Sequence, residues 1–298
     1  MSDTSIAPPA ASIPGSVMLE LLKPITWFAP MWAYGCGVVS AGVPLMDRWW
    51  ALLLGVVLAG PMVCGTSQAA NDWFDRHVDA INEPGRPIPS GRLPGNTGLR
   101  IAIGWTLVSL LVAAPLGPWG FGAAILGLAL AWAYSAPPIR LKRNGWWGNT
   151  ACGACYEGLP WITGAAVMTG GQPDWRVFVA ATLYSFGAHG IMTLNDFKSV
   201  EGDRRMGIRS LPVILGVERG AATACWFMAI PQMVMITALL SWGKVTAAFL
   251  VSLVLVAQWS LMVRLMRDPK GLAPWYNATG TTLYVIGMMV TAVACRPG

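Results

Sequence analysis

Asn71-Asp72-Trp73-Phe74-Asp75-Arg76-His77-Val78-Asp79 closes an apolar run that begins near residue 50. Asp72, Asp75 and Asp79 fall at i, i+3 and i+7, so a helix continuing out of that run gathers them on one face. Two carboxylates about 6 Å apart in an effective dielectric of about 20 repel by roughly 3 kcal/mol. At a membrane boundary such a group calls for a compensating cation or a task. Carboxylate and amide oxygens are hard ligands that suit Mg2+, an ion that bridges readily to substrate phosphates.

The rest of the chain explains why this helix begins apolar and ends acidic. Only 34 of the 298 residues are charged and 55% are hydrophobic, whereas about 25% are charged in ordinary soluble domains. Apolar segments near twenty residues recur, which predicts an all-α polytopic membrane protein. We place nine spans near 25–43, 50–70, 99–115, 119–135, 150–168, 176–195, 220–241, 245–265 and 276–294. Residues 1–22 read as a flexible polar segment without a cleavable signal, and 23–298 as one membrane domain. Sixteen of the twenty Lys and Arg fall on the N-terminal side of this arrangement. The positive-inside rule therefore puts the N-terminus in the cytoplasm and the C-terminus on the opposite side. The basic residues follow the membrane boundary, so no nucleic-acid partner is expected. Cys152 and Cys155 lack a second Cys or His pair and are read as packing residues.

A weak repeat joins two halves, about 23–135 and 147–266, with the ninth helix left over. Asn71-Asp72 returns 124 residues later as Asn195-Asp196, and Asp79 as Asp203. The long loop after the first acidic helix carries Pro84, Arg86, Pro87 and Arg92 and reads as a cap over a site. Arg140, Lys142 and Arg143 follow the fourth span on the same side, and Lys23 stands alone at the entrance to the first. Two acidic groups with cations on one membrane face suit a diphosphate held through divalent metal.

Several stretches carry a more specific likeness. Asn71-Asp72-x-x-Asp75-x-x-x-Asp79 with Arg86-Pro87, and a second acidic segment after span six, resembles the UbiA superfamily of intramembrane prenyltransferases. Lys23-Pro24-Ile25-Thr26-Trp27, Gln68-Ala69-Ala70-Asn71-Asp72, Asn82-Glu83-Pro84-x-Arg86-Pro87-Ile88-Pro89-Ser90-Gly91 and Gly187-Ala188-His189-Gly190 through Asn195-Asp196-Phe197-Lys198 are similar to its chlorophyll synthase branch. The resemblance implies that the nine spans surround a central cavity with its reactive end at the cytoplasmic side. It also implies Mg2+-dependent transfer of a geranylgeranyl or phytyl group from its diphosphate to the propionate of bacteriochlorophyllide. By motif, Asn71, Asp72, Asp75 and Asp79 form the first metal-diphosphate cluster. Asp196 and Asp203 form the second, with Glu201 as helper, and Lys142 and Arg143 engage the diphosphate. Substrate contacts are also expected from Lys23, Arg86 and Asn195. Ser199 stands where many relatives carry an acid, which leaves the roles of Asp196 and Glu201 open.

A propionate is already ionised near neutral pH, so the acceptor needs no general base. His189 lies two turns before Asp196 and is a candidate ligand of the pigment's magnesium, against a helix-packing alternative. Glu157, an acid in mid-span, either orients substrate or pairs with a basic residue. The implied setting is a bacterial inner, intracytoplasmic membrane, beside other pigment-pathway membrane proteins. Other acceptors (chlorophyllide, a quinone precursor, haem) and a non-catalytic pigment transporter or assembly protein are the alternatives.

Overall fold

The computed structural model describes residues 13–297. Every regular element among them is helical, and one isolated parallel bridge joins Asn144 to Arg209. The helices are α1 (Gly15–Leu22), α2 (Phe28–Ser40), α3 (Trp49–Ile81), α4 (Thr97–Ala113), α5 (Gly117–Ser135), α6 (145–169), α7 (Trp175–Asn195), α8 (Val200–Arg205), α9 (Leu211–Leu215), α10 (Val217–Ser241), α11 (Val245–Leu265) and α12 (Pro269–Ala294). Six stretches among the described residues are long and apolar enough to cross a membrane. They are Trp49–Ile81, Thr97–Ser135, Trp175–Lys198, Val217–Ser241, Val245–Leu265 and Pro269–Ala294. The second contains both α4 and α5, because the chain turns at Gly117, whose φ of 73° suits glycine. The molecule is an integral membrane protein.

Several boundaries differ from the apolar pattern for local reasons. The second helix does not stop at residue 70 but runs on to Ile81, exchanging an apolar surface for an amphipathic one. The last begins at Pro269, seven residues early. There Pro occupies the first helical position and Asp268 Oδ1 accepts from Gly271 N at 3.0 Å. Two helices contain wide turns, Leu58–Cys64 around Pro61 in α3 and Ala154–Gly158 ahead of Pro160 in α6. A proline removes one ladder donor, and a wide turn is one way the helix accommodates the gap.

The largest apolar cluster joins α2, α6, α7, α10, α11 and α12, and a second joins α2 and α6 to α3, α4 and α5. Helices without an apolar contrast between lipid and interior pack through small residues, and α2 against α6 shows this. Gly37 on α2 faces the Trp161 carbonyl so closely that a Cβ would sit 2.0 Å from its oxygen.

Within the N-terminal segment 1–22, residues 1–12 lie outside the described residues and Gly15–Leu22 form the helix α1. Val17, Leu21 and Leu22 of α1 pack on Ala69, Ala70, Leu93 and Ala102. Arg92 in the loop after α3 grips Glu20 through both guanidinium amines, at 2.6 and 2.8 Å. The loop is anchored again by Leu93, whose side chain is buried. Arg92→Ala is expected to raise the rate of protease cleavage within 83–96 severalfold. An unchanged rate would show that Leu93 alone holds the loop.

Three of the four cations on the sparsely charged side have structural partners. Arg48 Nη1 donates to the Val167 carbonyl at 2.7 Å and Arg296 Nε to the Val39 carbonyl at 3.1 Å, each at a helix C-terminus. Arg176 lies over the rings of Trp175 and Trp242.

Candidate active site

A cavity of about 870 Å³ opens among α2, α3, α6, α7 and α12. Asn71 and Asp75 reach it from α3, and Asn149 and Glu157 from α6. Asn195, Asp196 and Asp203 reach it from the end of α7 and from α8, and Lys142 from the segment before α6. Phe28, Ala29, Ile191 and Val285 supply an apolar wall beside this polar end.

Asp75 is the carboxylate of the first cluster that enters the cavity. It pairs with Lys142 and accepts from Arg140 Nη2 at 3.0 Å. Burial pushes the Lys142 ammonium below its usual pKa, and Asp75 pulls in the opposite direction. Across the cavity Asn149 Nδ2 donates to Thr193 Oγ1 at 3.1 Å and to Asp196 Oδ2 at 3.4 Å. Asp203 Oδ2 accepts from Ser199 Oγ at 3.4 Å, and burial raises its carboxyl above the ordinary range. Asn71 Nδ2 donates to Ser135 Oγ at 3.4 Å, and Asn195 Oδ1 accepts from Asn277 Nδ2 at 2.8 Å.

Asp72 and Asp79 do not line the cavity beside Asp75, as a common acidic face had predicted. At about 3.6 residues per turn, i and i+7 nearly superpose while i+3 stands about 60° away. Asp72 and Asp79 therefore share Arg86, whose Nη1 lies 3.4 Å from Asp72 Oδ1 and 2.8 Å from Asp79 Oδ2. Lys23 Nζ adds a 2.7 Å contact to Asp72 Oδ1. Burial opposes the Arg86 charge, but Asp72, Glu83 and Asp79 outweigh it and raise its pKa. Lys23, Asp72, Asp79 and Arg86 thus form a buttress behind the cavity wall. Among the described residues, the two non-glycine positions with a left-handed backbone, Lys23 (φ 49°) and Arg140 (φ 41°), are cations paired with this acidic helix. That conformation costs a non-glycine residue about 1–2 kcal/mol, and strain of this kind gathers at functional sites.

Other expected residues fall elsewhere. Arg143 is exposed and outside the cavity. Its carbonyl accepts from Arg209 N at 2.9 Å while Arg209 O accepts from Gly145 N at 2.8 Å, so backbone pairing sends Lys142 inward and its neighbour out. Glu201 is exposed and pairs with Arg204 and Arg205 on its own helix, away from the cavity. His189 is buried, stacked on Phe227 with centroids 4.3 Å apart, with Trp146 at 5.8 Å. It is not among the residues that line the cavity, although its neighbour Ala188 is, and its Nδ1 is buried without a hydrogen-bond partner.

The sequence assigns no site role to Asn149 or Tyr156, and Gln68 enters only as part of the Gln68–Asp72 motif. Gln68 Nε2 donates to the Tyr156 hydroxyl at 3.1 Å, and both line the cavity. The available signal was an isolated amide in Gly148-Asn149-Thr150 at the start of an apolar span.

Among the described residues no three His, Cys, Asp or Glu converge closely enough to hold a metal alone. The donor chemistry nevertheless suits Mg2+, which typically takes one or two carboxylates, waters and substrate phosphates. Asp75, Asp196 and Asp203 offer hard oxygens to one cavity, and Asp72 Oδ2 is buried without a hydrogen-bond partner.

The model of the UbiA prenyltransferase family matches residues 24–289. The bacteriochlorophyll synthase 33 kDa chain of Cereibacter sphaeroides is 60% identical over 279 residues, covering 94% of this chain and 92% of that protein. The chloroplastic chlorophyll synthase of Oryza sativa subsp. japonica is 37% identical over 292 residues, covering 93% and 76%. A UbiA homolog from Archaeoglobus fulgidus, determined bound to DMAPP and Mg2+, superposes with a TM-score of 0.70 at 20% identity, over 90% of this chain and 98% of that one. At that identity the likeness speaks for the fold.

Proposed function

Since the chain belongs to the UbiA prenyltransferase family, we propose that its cavity joins a prenyl group to a tetrapyrrole acid. It transfers geranylgeranyl or phytyl from the diphosphate to the propionate carboxylate of bacteriochlorophyllide. The 60% identity to a bacteriochlorophyll synthase, spread over nearly the whole of both chains, carries the choice of acceptor.

The side chains divide the work by position. Lys142 and Arg140 place positive charge where the diphosphate leaves, and Asn71 and Asn149 present amides to its remaining oxygens. Asp75, Asp196 and Asp203 would hold Mg2+ there, backed by the Asp72–Asp79–Arg86 buttress. When bound, the ion supplies charge that offsets the departing diphosphate. The bond from the allylic carbon to the diphosphate oxygen breaks, and a propionate oxygen forms the ester bond to that carbon. The apolar wall around Phe28, Ile191 and Val285 keeps water from competing for the allylic centre. The propionate arrives ionised, so no side chain is required to take a proton.

The charge distribution supports nine spans, a cytoplasmic N-terminus and a site opening to the cytoplasmic side of the bacterial inner membrane. Short α2 and proline-bearing α6 supply two spans beyond those recognisable by length and composition.

The test incubates membranes containing the protein with defined donors and with bacteriochlorophyllide or 4-hydroxybenzoate, followed by mass analysis. Esterified pigment, lost on chelation of divalent metal, is expected. Prenylation of the aromatic acid alone would overturn the acceptor assignment, and metal-independent esterification would overturn the site.

A further inference from the structure

Glu157 is the acid on the cavity wall that the reaction above does not use. It is 2% exposed, and its Oε2 has no hydrogen-bond partner. No ion pair among the described residues includes it. Asp75, Asp196 and Asp203, by contrast, all have a donor or cation beside them. Glu157 stands eight residues after Asn149 along α6, about 12 Å deeper at 1.5 Å per residue. It also falls in the wide turn Ala154–Gly158, together with Tyr156, and both side chains reach the cavity. Such turns redirect side chains and recur at functional sites. Gly153 and Gly158 seat this turn on α7, since a Cβ on either would meet Ser185 at 2.4 or 3.2 Å.

The substrates themselves narrow its role. The diphosphate is an anion held at the other end of the cavity, and the prenyl tail has no polar atom. Only the pigment carries polar groups that could reach so deep, among them the carbonyl oxygens at the edge of its ring. An isolated carboxylate in an apolar wall is strongly disfavoured, whereas the neutral acid has a hydroxyl to donate. A carboxylic acid kept neutral by an apolar site is known to serve as a hydrogen-bond donor.

We propose that Glu157 is the residue that recognises the acceptor's macrocycle, donating a hydrogen bond from its carboxyl to a carbonyl oxygen of the pigment. This rests on the pigment being the acceptor. The group fixes the ring deep in the cavity and so directs the propionate back toward Asp75 and Asp196. It is a specificity residue and takes no part in bond making.

The test compares wild type, Glu157→Leu, Glu157→Asp and Glu157→Gln in the esterification assay, with KM measured separately for pigment and for prenyl diphosphate. Glu157→Leu is expected to raise the pigment KM by about 10- to 100-fold, the usual cost of leaving a recognised polar group unpaired. The KM for the diphosphate moves far less. Glu157→Asp withdraws the acid by one methylene and raises the pigment KM too. It provides the measurement if the leucine variant fails to fold. Glu157→Gln keeps a neutral donor and recovers most of the affinity lost with leucine. Equal loss in the glutamine and leucine variants would overturn the donor role in favour of an ionised ligand. A pigment KM unmoved by Glu157→Asp, or a diphosphate KM rising in parallel, would overturn acceptor recognition. Failure of the wild type to esterify pigment would instead sink the parent assignment.

Discussion

Asp75→Asn is expected to lower kcat/KM for esterification by at least about 10²–10³-fold, the scale associated with losing one preorganised electrostatic group at a reacting centre. Asp75 is the one carboxylate of its cluster that faces the cavity, and it holds Lys142 and Arg140 together. Asparagine preserves the volume but surrenders the charge that keeps the covered Lys142 ammonium in place. Breaking a buried pair costs about 3–5 kcal/mol when one partner is left uncompensated. The Lys142 side chain is 9% exposed, whereas Asp75 and Arg140 are 19% and 26% exposed, so the stability loss should lie below that range. Thermal unfolding of the purified variant separates the two effects. A folded variant with kcat/KM within threefold of wild type would show that the reaction occurs elsewhere.

Gly37→Val is expected to act on the whole bundle. The first atom added at Gly37 lies 2.0 Å from the Trp161 oxygen and 2.9 Å from the Ala165 nitrogen, and both are backbone atoms. The reciprocal position, Gly164, would place a Cβ 2.4 Å from the Tyr34 oxygen. Backbone cannot turn aside as a side chain can, so α2 and α6 must separate. Overpacking typically costs about 1–3 kcal/mol and more where nothing yields. At roughly 2–4 °C per kcal/mol for a chain of this class, the thermal midpoint should fall by about 10 °C. Separation would also move Phe28 away from Glu157 across the cavity, so activity per folded molecule should drop with it. A variant with an unshifted midpoint and normal activity would mean that α2 and α6 do not cross this closely.

Much of the site was legible because it was written in local order. The acidic end of an apolar helix, its counterpart 124 residues on and the cations of one membrane side are all properties of spacing. Lys23, Arg86 and Lys142 read as substrate or diphosphate contacts; in the structure each pairs with an acid of the first cluster. What spacing could not supply was rotation and distant contact. Asp72 and Asp75 part company because three residues do not close a helical turn. Arg143 turns away because Arg209, far along the chain, pairs with the backbone on either side of Asn144. His189 is enclosed by rings from Trp146 and Phe227, which no local pattern announces. Asn149 escaped notice since one amide in an apolar stretch has many ordinary explanations.

The length of α3 has a consequence for how the substrates meet. Its 33 residues extend about 50 Å, against a hydrocarbon thickness of about 30 Å. If the apolar part from Trp49 to Ala70 fills the bilayer, the acidic part stands at headgroup level. An amphiphilic donor can then present its diphosphate while its tail remains dissolved in lipid, and it never has to be extracted into water. Encounter becomes a two-dimensional problem. The quantity that sets the rate is the mole fraction of donor in the leaflet, so inert lipid acts as a diluent while the volume of buffer does not.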